Sequence, residues 1–364
     1  MLNREFKSYS FFPGQHWDHT WERQHEIVTR LSKEIGSQVE VCRPLGFINH
    51  NPFSIKFIKR IVNYRKHIGN ESIKNPLEPN INLIGGSYIP WHNSTIGKIN
   101  FRLLNAQIEI SDNNFFWSTY INPTIYEFFK RSRFKVYDIA ERRSKNNLVP
   151  QKIKELERKV VAESDVVFID NQATINDYKD LNQNIYYIPQ GVNTDTFFPN
   201  DDCPKEYIGY IGNLHFAIDY DFFEQLIQIN QNQKFLIIGA IIEKKAFSLL
   251  KYPNVTYVPQ VAKNELNSYL SKMKVGLIPY LINDVTVGVY PTKLFEYISS
   301  GVPVISTNLP EVAQYANNDY LKIINNPELI NVDFSFKNTE TILKENTWDM
   351  RWNEYLKRIN QCLK

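Results

Sequence analysis

Lys293 and Glu296 are three residues apart in the stretch VYPTKLFEYISSGVPVIST, residues 289–307. A cation in the first turn of a helix is unfavourable by about 0.3–1 kcal/mol, because the helix N-terminus already carries a partial positive charge. The position becomes favourable if an anion binds, since free N–H groups, the Thr292 hydroxyl and the Lys293 ammonium could together hold a phosphate. A carboxylate at Glu296 could accept two hydrogen bonds from a vicinal diol such as a ribose. The alternative is a solvated Lys293–Glu296 pair on an exposed helix face.

The neighbouring residues predict the elements that position these groups. Tyr290 and Pro291 come just before the helix, and proline suits a first helical position because its missing N–H would be unpaired there. Apolar residues recur at helical spacing from Leu294 to Ile298, and Gly301 ends the helix. VPVIST, residues 302–307, follows as a short buried strand.

Two motifs in residues 207–221 each allow two interpretations. In IGYIGNLH, Gly212 and Asn213 follow a strand, and a glycine turn there lets the backbone approach a phosphate closely; a tight turn alone would explain it equally simply. DYD, Asp219 to Asp221, has the form of a metal-binding pair, but it directly precedes an apolar helix, where Asp is favoured as a cap. The second interpretation is preferred, and no other metal-ligand spacing is present, so no metal is expected.

The densest cluster of functional groups in the N-terminal half is PGQHWDHTWERQ, residues 13–24. Asp18 could act as a general base on an acceptor hydroxyl, and His16, Trp17 and Trp21 could contact a sugar. The alternative is an aromatic loop in which Asp18 caps a helix. Asp138 and Glu141, which follow another strand, are rival candidates for the base.

The pattern of short apolar strands separated by helical stretches predicts an α/β protein with parallel sheets covered on both faces. Thirteen such strands can be read along 364 residues, a length that favours two domains. The best boundary is the polar, proline-containing stretch at residues 191–206. The prediction is therefore two Rossmann-like domains, 1–195 and 196–364, facing a cleft, with a C-terminal amphipathic helix that can cross back over both.

Composition and charge limit the classes of binding partner that can be expected. The net charge of +3 is small and no nucleic-acid-binding module is visible, so nucleic acid is not an expected partner. The three cysteines form no paired motif, and neither a signal peptide nor a membrane-spanning stretch is recognisable, so a cytoplasmic protein is expected. The basic amphipathic stretch at residues 53–67, with a second basic-aromatic patch at 128–135, predicts peripheral contact with the inner face of the membrane; an ordinary solvated helix is the alternative.

The second half resembles the nucleotide-binding domain of GT-B glycosyltransferases, above all bacterial enzymes that build teichuronic acids, capsules and exopolysaccharides. The resemblance is carried by YIGYIGNLHFAIDYDFF, KFLIIGA, the run from YPNVTYVPQ to VGLIPY, and YPTKLFEYISSGVPVISTNLPEV. The first half resembles the family more loosely, through WDHTWERQHEIVTRLSKEIGSQVEV, VYDIAERRS and IYYIPQGVNTDTFFP.

The resemblance implies transfer of a sugar from a nucleoside-diphosphate sugar, with a UDP-sugar as the first expected donor and no further cofactor. It implies that Glu296 binds the nucleotide ribose. It also implies that Thr292 and Lys293 face the donor diphosphate. Gly212 and Asn213 would lie beside that diphosphate or beside the acceptor. Many retaining members carry a second carboxylate eight residues before Glu296, where this chain has Gly288, so the donor sugar and the stereochemistry stay open.

The implied acceptor is a saccharide or a lipid-linked saccharide, entering near Asp18 and the strand end from Trp117 to Tyr120. Two other functions are compatible with the same pattern. A sugar-nucleotide 2-epimerase shares the fold and needs no acceptor, and a non-catalytic sugar-binding protein would bind without turnover.

Overall fold

The structure is a computed structural model that describes residues 5–17, 21–43, 77–85, 89, 93–106, 110–200, 203–317, 319–331, 334–337 and 339–363. The chain divides into two compact units. Unit 1 comprises Met1–Ile169, Ile175–Tyr187 and Leu356–Lys364, and unit 2 comprises Asp170–Thr174 and Ile188–Tyr355. The domain boundary predicted after residue 195 stays a prediction.

Unit 1 contains a parallel sheet of seven strands in the order β3-β2-β1-β4-β5-β6-β7. The strands are β1 Ser8–Phe12, β2 Val39–Cys42, β3 Ile81–Ile84, β4 Asn114–Ser118, β5 Phe134–Ile139, β6 Val166–Ile169 and β7 Ile185–Tyr187. Every adjacent pair in this sheet is parallel. The helices of this part of the chain are α1 Arg23–Ile35, α2 Ser94–Asn105, α3 Pro123–Arg131, α4 Gln151–Glu163 and α5 Gln172–Tyr178.

Unit 2 contains a second parallel sheet, of six strands in the order β10-β9-β8-β11-β12-β13. The strands are β8 Tyr207–Ile211, β9 Lys234–Ile238, β10 Val255–Val258, β11 Met273–Ile278, β12 Val304–Ser306 and β13 Leu321–Ile323. The helices that follow α5 are α6 Tyr220–Ile229, α7 Leu266–Leu270, α8 Lys293–Ser299, α9 Pro310–Ala313, α10 Thr339–Glu345 and α11 Trp348–Cys362. Residues of α11 belong to both units, to unit 2 as far as Tyr355 and to unit 1 from Leu356.

The predicted α/β fold is confirmed, and each of the thirteen predicted strands is present. Continuous apolar runs such as VVFI in β6 and FLII in β9 are buried along their whole length, as a sheet covered on both faces requires. Unit 1 has an unusually aromatic core, in which Phe12 stacks on Phe116 and packs against Phe128.

Both sheets have a topological switch point, where the strand order reverses direction. In unit 1 the chain moves outward from β1 to β3 and then returns to place β4 on the other side of β1. In unit 2 the equivalent reversal lies between β8 and β11. In open parallel sheets, ligands bind outside the carboxyl ends of the strands at these points. The two crevices are therefore the first places to look for functional groups.

Helix α8 is fixed to the sheet of unit 2 by Tyr297. The Tyr297 hydroxyl accepts a hydrogen bond from the Ile211 backbone N–H at 2.9 Å, at the end of β8. Its ring lies against Gly276 of β11, where an added Cβ would be only 2.6 Å from the ring carbons. Because glycine is the one residue that leaves room for this ring, the helix can approach the β8/β11 switch point closely.

Replacing Tyr297 with Phe should therefore destabilise unit 2. The variant keeps the buried ring but leaves the Ile211 N–H without its partner, which typically costs about 1–3 kcal/mol. Urea titration of the full chain measures the loss, and Tyr207→Phe is the matched control, because Tyr207 is on the same strand and is partly exposed. Equal stability of the two variants would contradict the assigned role of the hydroxyl.

No helix in the described part of the chain combines the length and the apolar character needed to cross a bilayer. The predicted membrane-contacting stretch at residues 53–67 lies outside the described residues. In the second patch, Lys130 and Arg131 form ion pairs with Glu127 at 2.8 and 3.0 Å, and the Arg131 guanidinium lies 4.3 Å from the centre of the Phe101 ring. These contacts are typical of an ordinary helix surface, and membrane contact stays a prediction.

Candidate functional site

The backbone at the end of β8 is shaped by two glycines with positive φ angles. Gly212 has φ +128° and Gly239, at the end of β9, has φ +146°. A Cβ on Gly239 would lie 2.1 Å from the Gly212 carbonyl oxygen, so only glycine allows the two turns to touch. The Gly212 N–H donates to the Ile238 carbonyl at 2.8 Å. The two turns therefore form one rigid base at the switch point.

Lys293 lies directly over this base. A Cβ on Gly212 would be 2.4 Å from Lys293 Cε and 2.8 Å from its Nζ. The ammonium donates to the Tyr280 hydroxyl at 2.9 Å and lies 5.5 and 5.7 Å from the ring centres of Tyr280 and Tyr210. The sequence analysis predicted that Lys293 and Gly212 belong to one site, and the structure brings them into contact.

Tyr210, near the end of β8, and Asn213, in the turn that follows β8, lie beside Lys293. Tyr210 is fully buried, and its hydroxyl donates to the Asn213 carbonyl at 3.0 Å. Burial raises the pKa of Tyr210 well above its usual value, so the group stays a neutral donor at any physiological pH. The Asn213 carbonyl is thus occupied, which fixes the turn that follows β8.

Glu296 is one helical turn beyond Lys293 and is partly buried. No hydrogen bond or ion pair to its carboxylate is found within the described residues. Burial raises the pKa of Glu296, and the ammonium groups of Lys263 and Lys293 oppose the shift. A partly desolvated carboxylate that keeps its acceptor positions open is well suited to a ligand that donates hydrogen bonds.

The other residues predicted around the helix start have different surroundings. The helix begins at Lys293, with Thr292 in helical conformation as its N-cap, so Pro291 precedes the first helical residue by two positions. Pro291 is buried, whereas Thr292 is half-buried. Tyr290 stacks on Phe295 and its hydroxyl donates to Tyr315, contacts that are typical of core packing.

His215 was not predicted, although it belongs to the same crevice. Its Nδ1 accepts a hydrogen bond from the Ala217 N–H at 3.2 Å, and its ring meets the Tyr280 ring edge to face. Burial, with the charge of Lys293 as a smaller cause, lowers the pKa of His215 to about 4. The imidazole is therefore neutral at pH 7 and carries its proton on Nε2, for which the described residues provide no acceptor.

Asp219 is the N-cap of α6, where its side chain accepts from the Phe222 N–H at 3.0 Å. The preferred interpretation of the DYD motif as a helix cap is therefore confirmed. Within the described ranges, no cluster of three His, Cys, Asp or Glu side chains has the geometry to hold a metal ion.

The aromatic residues predicted to contact an acceptor in unit 1 are mostly structural. Trp17 is buried and packs against His25, with ring centres 4.9 Å apart. Trp21 also stacks on His25, and its indole N–H donates to Glu26 at 2.7 Å. His16 is partly exposed beside them, and Asp18 lies outside the described residues.

Two further predictions for unit 1 need correction. Trp117 is fully buried between Phe11 and Phe168, so its ring cannot stack on a sugar. Asp138 is also fully buried and forms an ion pair with Arg23 at 2.8 Å, which makes it a partner of that guanidinium and leaves no room for an acceptor hydroxyl. Tyr120, by contrast, is only partly buried and lines a cavity.

The depressed pKa of His215 predicts a pH dependence of stability. The unfolded chain takes up a proton near pH 6.5, whereas the folded protein resists protonation until about pH 4, so stability falls as the pH falls through this window. The expected loss by pH 4.5 is about 2–3 kcal/mol, reduced by solvent screening. Urea titrations of wild type and His215→Gln at pH 7 and pH 4.5 measure it. A stability difference between the two proteins that does not change with pH would contradict the assignment.

Comparison with known proteins agrees with this architecture. Residues 205–330 match the family model described as glycosyl transferases group 1. TuaH of Bacillus subtilis, named as a teichuronic acid biosynthesis glycosyltransferase, is 26% identical over 144 residues, which are 36% of this chain and 36% of that protein. The match therefore spans about a third of the length of the curated relative.

Solved structures resemble the chain over nearly its full length. Sucrose-phosphate synthase from Thermosynechococcus elongatus has a TM-score of 0.62 at 13% identity and covers 98% of this chain and 95% of its own. HepE of Anabaena, in complex with UDP and glucose, has a TM-score of 0.66 at 11% identity and covers 97% of this chain and 100% of its own. At sequence identities this low, the structural similarity shows a shared fold and nothing more. The chain thus has the GT-B type of α/β fold, and its residues 205–330 match the glycosyl transferases group 1 family model.

Proposed function

We propose that this protein is a glycosyltransferase that moves a sugar from a nucleoside-diphosphate sugar to an acceptor hydroxyl. The observation that carries the proposal is the β8/β11 switch point of unit 2. There Lys293 lies over the glycine base formed by Gly212 and Gly239, and the open carboxylate of Glu296 follows one turn later. This crevice lies inside the stretch that matches the glycosyl transferases group 1 family.

Lys293 stabilises the diphosphate. Negative charge develops on the leaving diphosphate as the glycosidic bond to the donor breaks, and a fixed cation lowers the energy of that state more than that of the bound donor. Tyr280 holds the ammonium by its hydroxyl, so little reorganisation is needed when the charge develops. Gly212 carries no side chain, so the Lys293 ammonium can lie against the turn beside which the phosphates are proposed to bind.

Glu296 binds the ribose of the donor. A carboxylate accepts from both hydroxyls of a vicinal diol, and the partly buried site strengthens those hydrogen bonds relative to water. Without the ligand's hydroxyls, the carboxylate would be partly buried with no donor to supply it with hydrogen bonds. This explains why an unpaired carboxylate is kept in the crevice despite the cost of burial.

The relatives support a particular nucleotide and a particular pathway for this proposal. HepE is in complex with UDP and glucose, which supports a UDP-sugar as donor. The name of the Bacillus relative supports a saccharide or lipid-linked saccharide acceptor in cell-surface polysaccharide biosynthesis. Action at the inner face of the membrane is part of the same proposal.

The donor site is tested by Lys293→Met and Glu296→Gln. Each should weaken UDP binding by about 10-fold to 100-fold, since a charge-assisted hydrogen bond contributes about 1.5–3 kcal/mol. Isothermal titration calorimetry with UDP measures the change. Lys244→Met and Glu340→Gln are the matched controls, because both side chains are exposed elsewhere in unit 2. Unchanged affinity in both site variants would show that the site is wrongly assigned.

Turnover separates the proposal from its nearest alternative. Incubation of wild type with UDP-sugars should give UDP and a glycosylated acceptor only when a saccharide is added. Chromatography of the products from donor alone provides the control. An epimerised sugar formed without acceptor would instead identify a sugar-nucleotide 2-epimerase.

A further inference from the structure

The loop between β8 and α6 is held in one conformation where it crosses the switch point of unit 2. Toward β9, the Leu214 N–H donates to the Ala240 carbonyl at 2.8 Å, and the Leu214 carbonyl accepts from the Ile242 N–H at 3.0 Å. Toward β11, the Leu281 N–H donates to the Ala217 carbonyl at 2.8 Å. The loop is therefore joined to the segments that follow both neighbouring strands, which gives its side chains defined positions.

His215 lies in the middle of this loop, and two contacts orient its ring. Its Nδ1 accepts from the Ala217 N–H at 3.2 Å, and the ring meets that of Tyr280 edge to face, with centres 5.9 Å apart. Because Nδ1 is used as an acceptor, the neutral ring must carry its proton on Nε2. The side chain is partly exposed, and the described residues provide no acceptor for this Nε2–H. His215 can therefore donate one hydrogen bond to a bound ligand.

Tyr280 connects His215 to the Lys293 ammonium. Its ring contacts His215, and its hydroxyl accepts from Lys293 at 2.9 Å. Burial, and as a smaller cause the nearby Lys293 charge, lower the pKa of His215 to about 4. At pH 7 the crevice therefore combines one ammonium with one neutral N–H donor.

A neutral donor has an advantage beside an ammonium. A second cation would be repelled by Lys293 and would lose hydration in a partly buried site, whereas a neutral imidazole N–H avoids both costs. Both groups can only donate, because a lysine ammonium has no acceptor atom and Nδ1 of His215 is occupied. They are complementary to a ligand group that only accepts hydrogen bonds, and the oxygens of a diphosphate have that property.

His215 could serve two roles, which use different ring nitrogens. A structural role would depend on Nδ1, which accepts from Ala217 within the loop. A ligand-binding role would depend on the Nε2–H. Asp219, the only carboxylate in residues 212–219, caps α6 by accepting from the Phe222 N–H at 3.0 Å. The loop itself thus directs no carboxylate to His215, and the place of the ring beside Lys293 favours the second role.

We propose that the Nε2–H of His215 donates to an oxygen of the donor diphosphate, so that a neutral donor and the Lys293 ammonium hold this group together. The assignment rests on the proposed glycosyl transfer, since it takes the diphosphate of the sugar nucleotide as the ligand of this crevice. His215 acts in binding alone: the ring keeps its proton, and no covalent bond is made or broken.

Two substitutions separate the roles, because each keeps one half of the imidazole. His215→Asn keeps an acceptor near the Nδ1 position and loses the outer N–H, whereas His215→Gln places an amide N–H near the Nε2 position and loses the inner acceptor. At pH 7, His215→Asn should weaken UDP binding by about tenfold, and His215→Gln should stay within about twofold of wild type. Isothermal titration calorimetry measures binding of UDP and of pyrophosphate, which lacks the nucleoside and reports on the phosphate contacts alone.

Gln225→Asn is the control, because Gln225 is exposed on α6 and this variant should bind both probes as wild type does. A melting curve shows that each variant is folded at the temperature of the titration. Full affinity in His215→Asn, or a loss in His215→Gln as large as that in His215→Asn, would overturn the proposal and give His215 a structural role.

The same titrations separate this inference from the proposed function. Weaker binding in Lys293→Met with full affinity in His215→Asn would leave the donor site intact and refute the His215 contact alone. Pyrophosphate binding that is lost in His215→Asn and kept in His215→Gln, without any response to UDP, would support the His215 contact and contradict the proposed nucleotide. No binding of either probe to wild type would overturn both.

Discussion

The position of helix α8 on the unit 2 sheet is the constraint on which the candidate site depends. The Tyr297 ring occupies the space that Gly276 leaves open, and its hydroxyl takes the N–H of Ile211, the last residue of β8. This single side chain therefore joins the helix to both strands that flank the switch point. As a result, Lys293 lies over Gly212 and Glu296 is held one turn further along. A helix shifted by a fraction of its pitch would separate the cation from the glycine base.

The same topological rule places chemistry in each unit. In unit 2 the reversal between β8 and β11 brings together a cation, a neutral imidazole and an open carboxylate. In unit 1 a cavity lined by both carboxylates and guanidinium groups lies beside the reversal between β1 and β4. The charged groups of the two crevices have different partners. Lys293 favours an anion, whereas Arg23 and Arg143 of unit 1 each form an ion pair with a buried carboxylate, Asp138 and Glu157 respectively.

Short sequence patterns predicted the strands and helices. A strand covered on both faces must be a continuous apolar run, and a helix usually begins at a residue that can cap its free N–H groups. The stretch at residues 289–307 predicted both helix α8 and strand β12, and the cap at Asp219 followed from its place before an apolar run. The contacts of Trp117 and Asp138 could not be predicted in this way. In a doubly covered strand every side chain is buried, so sequence alternation does not tell which residue reaches the crevice. His215 and Tyr280 were missed for a related reason, since their contact with each other joins segments far apart in the chain.

The most direct measurement is a crystal structure of the full chain in complex with UDP. The account predicts that a diphosphate oxygen lies within about 3 Å of Lys293 Nζ, above the Gly212 turn, and that both ribose hydroxyls donate to the Glu296 carboxylate. His215 Nε2 should be found within reach of the same ligand. A nucleotide bound elsewhere in unit 2, with no phosphate oxygen near Lys293 Nζ and no ribose hydroxyl near Glu296, would contradict the account.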